Sequence, residues 1–115
     1  MDMKLNMITI VYVTEMKRSF DFYSSLGFEG ELPEGEPPVW LPMQLGDVPL
    51  ALHSVAELDT GRQVAIALNA EDLESVASAL NELGIPIIRP IKAELFGRSL
   101  VICDPDGLLI QINEH

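Results

Sequence analysis

The chain has 115 residues, 48% of them hydrophobic, which suits one domain with a core of its own. Its 18 acidic and 7 basic side chains leave a formal net charge of −11; this disfavours nucleic acid and anionic membranes, which are held by clustered Lys and Arg. No apolar run reaches the roughly 18 residues of a membrane span, the N-terminus lacks the marks of a secretory signal, and the single cysteine, Cys103, rules out an internal disulfide, so a cytoplasmic protein with an inert thiol is expected.

Residues 8–13 alternate with a period of two and are rich in β-branched types, which predicts a strand with Thr9, Val11 and Val13 on one side and Ile8, Ile10 and Tyr12 on the other. Thr14 or Glu15 can cap a helix over 15–26. Its apolar stripe is Phe20, Tyr23 and Leu26, and Gly27 sits where a helix end wants a left-handed residue. Residues 29–38 form a strand end that runs into an acidic, Pro- and Gly-rich loop. Segments 40–45 and 48–54 flank a Gly46-Asp47 turn and predict a hairpin. Residues 55–61 read as a linker.

The second half repeats the plan. Asp72 opens a helix over 72–83 with the stripe Leu73, Val76, Leu80 and Leu83; Gly84 ends it and Pro86 forbids its continuation. A strand starts at Ile85, 89–97 reads as a connection, and segments 98–104 and 108–114 flank a Pro105-Asp106-Gly107 turn. Residues 9–28 match residues 66–85 without a gap: Val11 falls on Leu68, Glu15 on Asp72, Met16 on Leu73, Tyr23 on Leu80 and Gly27 on Gly84. Each copy reads as βαβββ. The expected organisation is a single domain, 1–115, made of modules at about 6–54 and 63–113. A module of this size buries its sheet poorly alone, whereas two can share one.

Glu15-Met16, Ser19, Phe22-Tyr23 and Leu26-Gly27-Phe28 in the first copy, with Asp72-Leu73, Leu83-Gly84-Ile85 and Asp104-Pro105-Asp106-Gly107 in the second, resemble the vicinal oxygen chelate superfamily of glyoxalases, bleomycin resistance proteins and extradiol dioxygenases. The resemblance covers nearly the whole chain. It implies an α+β fold whose two modules bring eight strands into an open, barrel-like cleft, with the helices on the outer side. It also implies a homodimer, which the exposed edges of short sheets support. Function is not implied, because the fold carries isomerases, transferases, dioxygenases and plain binding proteins.

Metal-using members of that family place His, Glu or Gln on the first strand of each module and the last strand of each hairpin. Those positions here are Ile8, Ala51, either Gln63 or Ala65, and Gln111. Ile cannot ligate and neutral Gln is a poor substitute for His or Glu, so no metal and no other cofactor is expected. Alternation places Ile8, Ile10, Tyr12, Ala51, His53, Gln63, Ala65, Ala67, Val101, Cys103 and Gln111 on the cleft side, with Trp40 and Met43 as further candidates. This apolar floor with few polar points suits a small molecule. The expected function is sequestration of an apolar or cationic drug or metabolite, with Trp40 and Tyr12 stacking on it. Glu29, Glu31, Glu34 and Glu36 are placed to steer a cation. The alternative is a lyase, isomerase or dioxygenase in which His53 serves as acid or base, or a divalent metal acts.

Overall fold

The computed structural model describes residues 4, 8–58, 66–94 and 97–115. The first alternating segment forms β1 (Thr9–Val13) and is followed by α1 (Met16–Ser25). Glu15 is the N-cap: its extended backbone lets the carboxylate accept the Arg18 N–H. The side chains that α1 buries are Met16, Ser19 and Tyr23, one residue out of phase with the expected stripe on its first turns. Phe20 is only half-buried. The Gly46-Asp47 turn joins β2 (Trp40–Leu45) to β3 (Val48–Ser54), and Gly46 takes the left-handed φ of 60° that this tight connection needs. The sheet order is β1-β3-β2, with β1 parallel and β2 antiparallel to β3.

This sheet departs from the expected plan in one place. The second strand of the first βαβββ copy shrinks to a single bridge, in which Glu29 and Gln44 exchange both backbone hydrogen bonds at 2.8 and 2.9 Å. Pro33, Pro37 and Pro38 follow, each without an N–H to give to a ladder. Pro42 is tolerated in β2 for a related reason. Val39 accepts from Ser54 on the inner side, so the even-numbered backbone groups of this strand face the outer edge, where a missing N–H is not missed.

The second unit holds β4 (Ile66–Asn69), α2 (Leu73–Leu83), β5 (Arg89–Glu94), β6 (Gly97–Cys103) and β7 (Leu109–Glu114), in the sheet order β4-β7-β6-β5. Contacts divide the chain at this point, into Met1–Asp59 and Thr60–His115. The described residues thus carry seven strands rather than eight. Residues 89–94, expected as a connection, form an edge strand; Pro90 masks the pattern and is admitted at an edge. Asp72 caps α2 by accepting from the Glu74 and Ser75 N–H groups, and Gly84 closes it at φ 72°. Leu73 and Leu80 are buried, but Leu83, expected in the same stripe, is 49% exposed. Asp104 builds the late turn, accepting at 2.9 Å from both the Asp106 and the Leu108 N–H.

In both units the helix backs one sheet face. Val11, Val13, Leu41, Met43, Leu50 and Leu52 are buried in the first unit, and Leu100, Ile102, Ile110 and Ile112 in the second. The far ends of the second unit are tied by Arg98, whose guanidinium reaches Glu114 at 2.8 Å and Glu74 at 2.7 Å. The other Glu114 oxygen accepts the Leu73 N–H at 2.8 Å, so the last strand caps the start of α2. Arg98 hydrogen-bonds the Glu74 carboxyl and holds its pKa down at about 2. A carboxyl lowered in the folded state stabilises above its unfolded value and loses that contribution as pH falls through the folded value. We therefore expect an Arg98→Met variant to unfold in acid with a shallower pH dependence than the native chain between about pH 4.5 and about pH 2. Added salt should narrow the gap, because the pair is solvent-exposed. Chemical unfolding across that pH range measures it; identical acid limbs would refute it.

Candidate functional site

The sheet faces away from the helices hold the remaining alternate residues. In the first unit the register aligns Ile10 with Ala51 and Pro42, and Tyr12 with His53 and Trp40. The second of these rows is aromatic from edge to edge. The Tyr12 and His53 ring centroids are 5.3 Å apart, tilted by 36°, and Trp40 meets His53 edge-on at 5.7 Å. Tyr12 is 48% exposed, Trp40 44%, Ile8 40% and Ile10 39%. Side chains of this size in one contiguous patch are unusual on a surface that serves no contact. Val11, Val13, Leu41 and Leu52, on the same strands, are buried against the helix side, so the two-residue period separates the packing face from the open one.

The second unit repeats the geometry with different chemistry. Ala67, Gln111, Val101 and Arg89 form one row, and Asn69, Asn113 and Ser99 the next. Asn69, Asn113 and Ser99 occupy the places that Tyr12, His53 and Trp40 take in the first unit. They are joined by hydrogen bonds. Gln111 donates to Asn113 at 2.8 Å, His115 pairs with Asn69 at 3.1 Å, and Arg89 donates to the Ser99 hydroxyl at 2.6 Å, which in turn donates to Glu94 at 3.1 Å. Cys103, half-buried, lies beside Leu109 at one end of this face.

Of the expected site residues, Ile10, Tyr12, Trp40 and His53 therefore share the open face of the first unit, and Val101, Cys103 and Gln111 that of the second; Ile8, just before β1, is exposed. Gln63 and Ala65 lie outside the described residues. Met43 is corrected: it pairs with Leu50 and is 3% exposed on the helix side. It is three residues from Trp40, and an odd separation in a strand means opposite faces. Reasoning from sequence missed Asn69, Asn113, Ser99 and Arg89. Asn113 was available from alternation with Gln111; Arg89 was hidden by reading its strand as a connection.

Two shallow grooves lie elsewhere. One runs along Glu74, Ser75, Ser78, Ala79 and Glu82 of α2, the other along Glu29, Gly30, Glu31, Pro42, Met43 and Gln44 beside β2. Neither carries an aromatic ring or a titratable group other than Glu. Asp72, Glu74 and Glu114 place their oxygens within 4.8 Å of one another, but the last two are occupied by Arg98 and the α2 backbone.

The family described as the Glyoxalase/Bleomycin resistance protein/Dioxygenase superfamily matches residues 4–112. The chain belongs to this superfamily. Among solved structures of the glyoxalase/bleomycin resistance fold, it is similar to a bleomycin resistance determinant encoded on the transposon Tn5 (19% identity, 97% of this chain and 98% of that one, TM-score 0.76). It is also similar to a bleomycin-binding protein complexed with bleomycin (20%, 97% and 99%, TM-score 0.71). A lactoylglutathione lyase from Agrobacterium tumefaciens has the same fold at 20% identity (96% and 93%, TM-score 0.74). No curated protein sequence matches. At these identities the likeness to solved structures shows the fold.

Metal-using members of the superfamily ask for a set of donor atoms that the described residues do not provide. Ile8 and Ala51 have none, Gln111 offers only a neutral amide, and His53 is the one imidazole on the first unit's open face. A divalent site of the zinc or iron type needs three or four His and carboxylate ligands. The described residues at those positions do not fit such an ion.

Proposed function

We propose that the chain is a small-molecule-binding protein of the glyoxalase/bleomycin resistance type. It holds an apolar or cationic drug or metabolite against Tyr12, His53 and Trp40, without a metal ion, and sequesters it unchanged. The observation that carries this reading is the exposed aromatic row itself. Water-facing rings gain free energy when a planar ligand covers them, and a row of one imidazole flanked by two π-systems offers cations a face as well. The net charge of −11 favours cations at longer range. The bleomycin complex of a protein with this fold supports the reading.

The lyase with the same fold favours a second reading, in which His53 is the acid or base of a reaction on a small metabolite. The two differ in what they demand of the purified protein. Under the binding reading, planar aromatic cations raise the melting temperature, with about 2.7 kcal/mol of added stability at a ligand concentration of 100 Kd, and recovered ligand is chemically unaltered. Metal analysis finds no stoichiometric zinc, nickel, manganese or iron. A screen that yields no stabilising compound, or a tightly held ion lost on His53→Ala, overturns it. We further propose a single cytoplasmic domain that assembles as a homodimer, with no nucleic-acid or membrane partner. Ultracentrifugation at high micromolar concentration should give the mass of two chains.

A further inference from the structure

We propose that the open face of the second unit binds a planar lactam or carboxamide group, held along its edge by the side-chain amides of Gln111 and Asn113. The proposal concerns this unit alone and stands apart from the aromatic row of the first. Gln111 and Asn113 lie two residues apart on β7, the strand that β4 and β6 flank, so both project from one face of the sheet. Ile110 and Ile112, which alternate with them, are buried on the helix side. The Gln111 Nε2 donates to the Asn113 Oδ1 at 2.8 Å. A bond between two amides uses one carbonyl and one NH2 group, whichever way each amide is turned, and leaves the other carbonyl and the other NH2 open. Among the described residues no further hydrogen bond joins either side chain. The centre of this face therefore shows one acceptor and one donor, side by side and unmatched.

The surroundings decide what can match this pair. Ala67 and Val101 flank Gln111 across the sheet; they offer no hydrogen bond and give a planar group an apolar floor. Arg89, the next member of that row, is engaged within the face: its guanidinium donates to the Ser99 hydroxyl and to the Ser99 and Pro90 carbonyls, and Glu94 stands 3.8 Å from it. The Ser99 hydroxyl, fully buried, already accepts from Arg89 and donates to Glu94. Neither residue is left to capture an anion, and the net charge of −11 repels one. A ligand that satisfies Gln111 and Asn113 together must bring a donor and an acceptor on one planar edge. A cis lactam, a primary carboxamide or a ureido group does so, whereas a carboxylate brings acceptors only and an ammonium donors only. A half-matched group leaves one amide atom desolvated and unmet, which costs more than a single bond gains.

The test uses the full-length, isotopically labelled protein and two probes: 2-pyridone, a planar cis lactam, and 1-methyl-2-pyridone, in which a methyl group replaces the N–H. The side-chain NH2 resonances of Gln111 and Asn113 are followed by NMR during titration to about 50 mM, because a fragment this small binds weakly even where it fits. The expected result is a saturable shift of both residues with 2-pyridone, and binding about tenfold weaker for the methylated probe, the scale of one unmet hydrogen bond. Gln111→Met removes the pair and should abolish the preference. Gln111→Glu should abolish it too, since a carboxylate can only accept from Asn113 and leaves two oxygens outward; it serves if the Met variant does not fold. Equal binding of the two probes, a preference that survives in these variants, or no shift at either residue overturns the proposal. Shifts of the Trp40 indole N–H with none at Gln111 and Asn113 also overturn it, while leaving the aromatic row as a binding face. Selective shifts at Gln111 and Asn113 with no ligand found for that row uphold this proposal and not the earlier reading.

Discussion

Replacing Tyr23 with Ala is expected to destabilise the fold by about 3–5 kcal/mol, the range for removing a large aromatic side chain from a packed core. Tyr23 is fully buried on α1 and meets Phe22 and Phe28 edge-on, at centroid separations of 5.2 and 5.4 Å. Edge-on pairs of this kind add to the simple burial of area. Phe28 is held in place by the same turn, since its N–H donates to the Tyr23 carbonyl at 3.1 Å. The cavity left by Ala therefore loosens the helix, its exit and the first sheet together. Urea unfolding measures the effect as a fall in midpoint at a nearly constant slope. Tyr23→Phe, which keeps the ring, should lose far less. An Ala variant with a native midpoint would mean that the helix does not rest on this residue.

Trp40→Ala carries the second large effect, on binding rather than folding. Trp40 is 44% exposed and its side chain contributes nothing to the helix-side core, so the fold should tolerate the change. As a lost aromatic anchor it should weaken ligand binding by about 1–3 kcal/mol, and Tyr12→Ala by a similar amount. His53→Ala at neutral pH should cost about 1 kcal/mol, the scale of one polar contact. Titration of the native chain and the three variants with one ligand gives the order directly. The enzymatic reading requires the reverse order, with turnover abolished by His53→Ala and affinity retained. A Trp40→Ala variant that binds as tightly as the native chain would remove the aromatic row from the site.

Much of this was open to inspection in the amino-acid order. The gapless match of residues 9–28 to 66–85 carries through to the fold: β1 starts at Thr9 and β4 at Ile66, α1 at Met16 and α2 at Leu73. Strand alternation separates Ile10 and Tyr12 from Val11 and Val13 without any knowledge of pairing, because a two-residue period needs only the strand to exist, and the family's position at Ala51 puts His53, two residues on, with them. What alternation cannot supply is register. That Trp40, His53 and Tyr12 stand in one row depends on how far each strand slides against the next, which turn geometry and partner strands decide. Met43 and Trp40, three residues apart in one strand, cannot share a face, and Met43 takes the helix side. Arg89 escaped because Pro90 breaks the strand pattern, and only the edge position of β5 makes that proline permissible.

The matched rows of the two units have a consequence for how such a chain can change over generations. Tyr12, His53 and Trp40 stand where Asn69, Asn113 and Ser99 stand in the other copy, yet in both copies a helix backs the sheet behind them. Substitutions on one side of a strand leave the packing on the other side largely untouched, and effects at sites without shared partners add rather than interfere. The open face is thus a separable layer over the packed one. Drift from hydrogen-bonding to aromatic surface, or back, can explore new ligands through folded intermediates, and one copy can be rewritten while its twin keeps its former character.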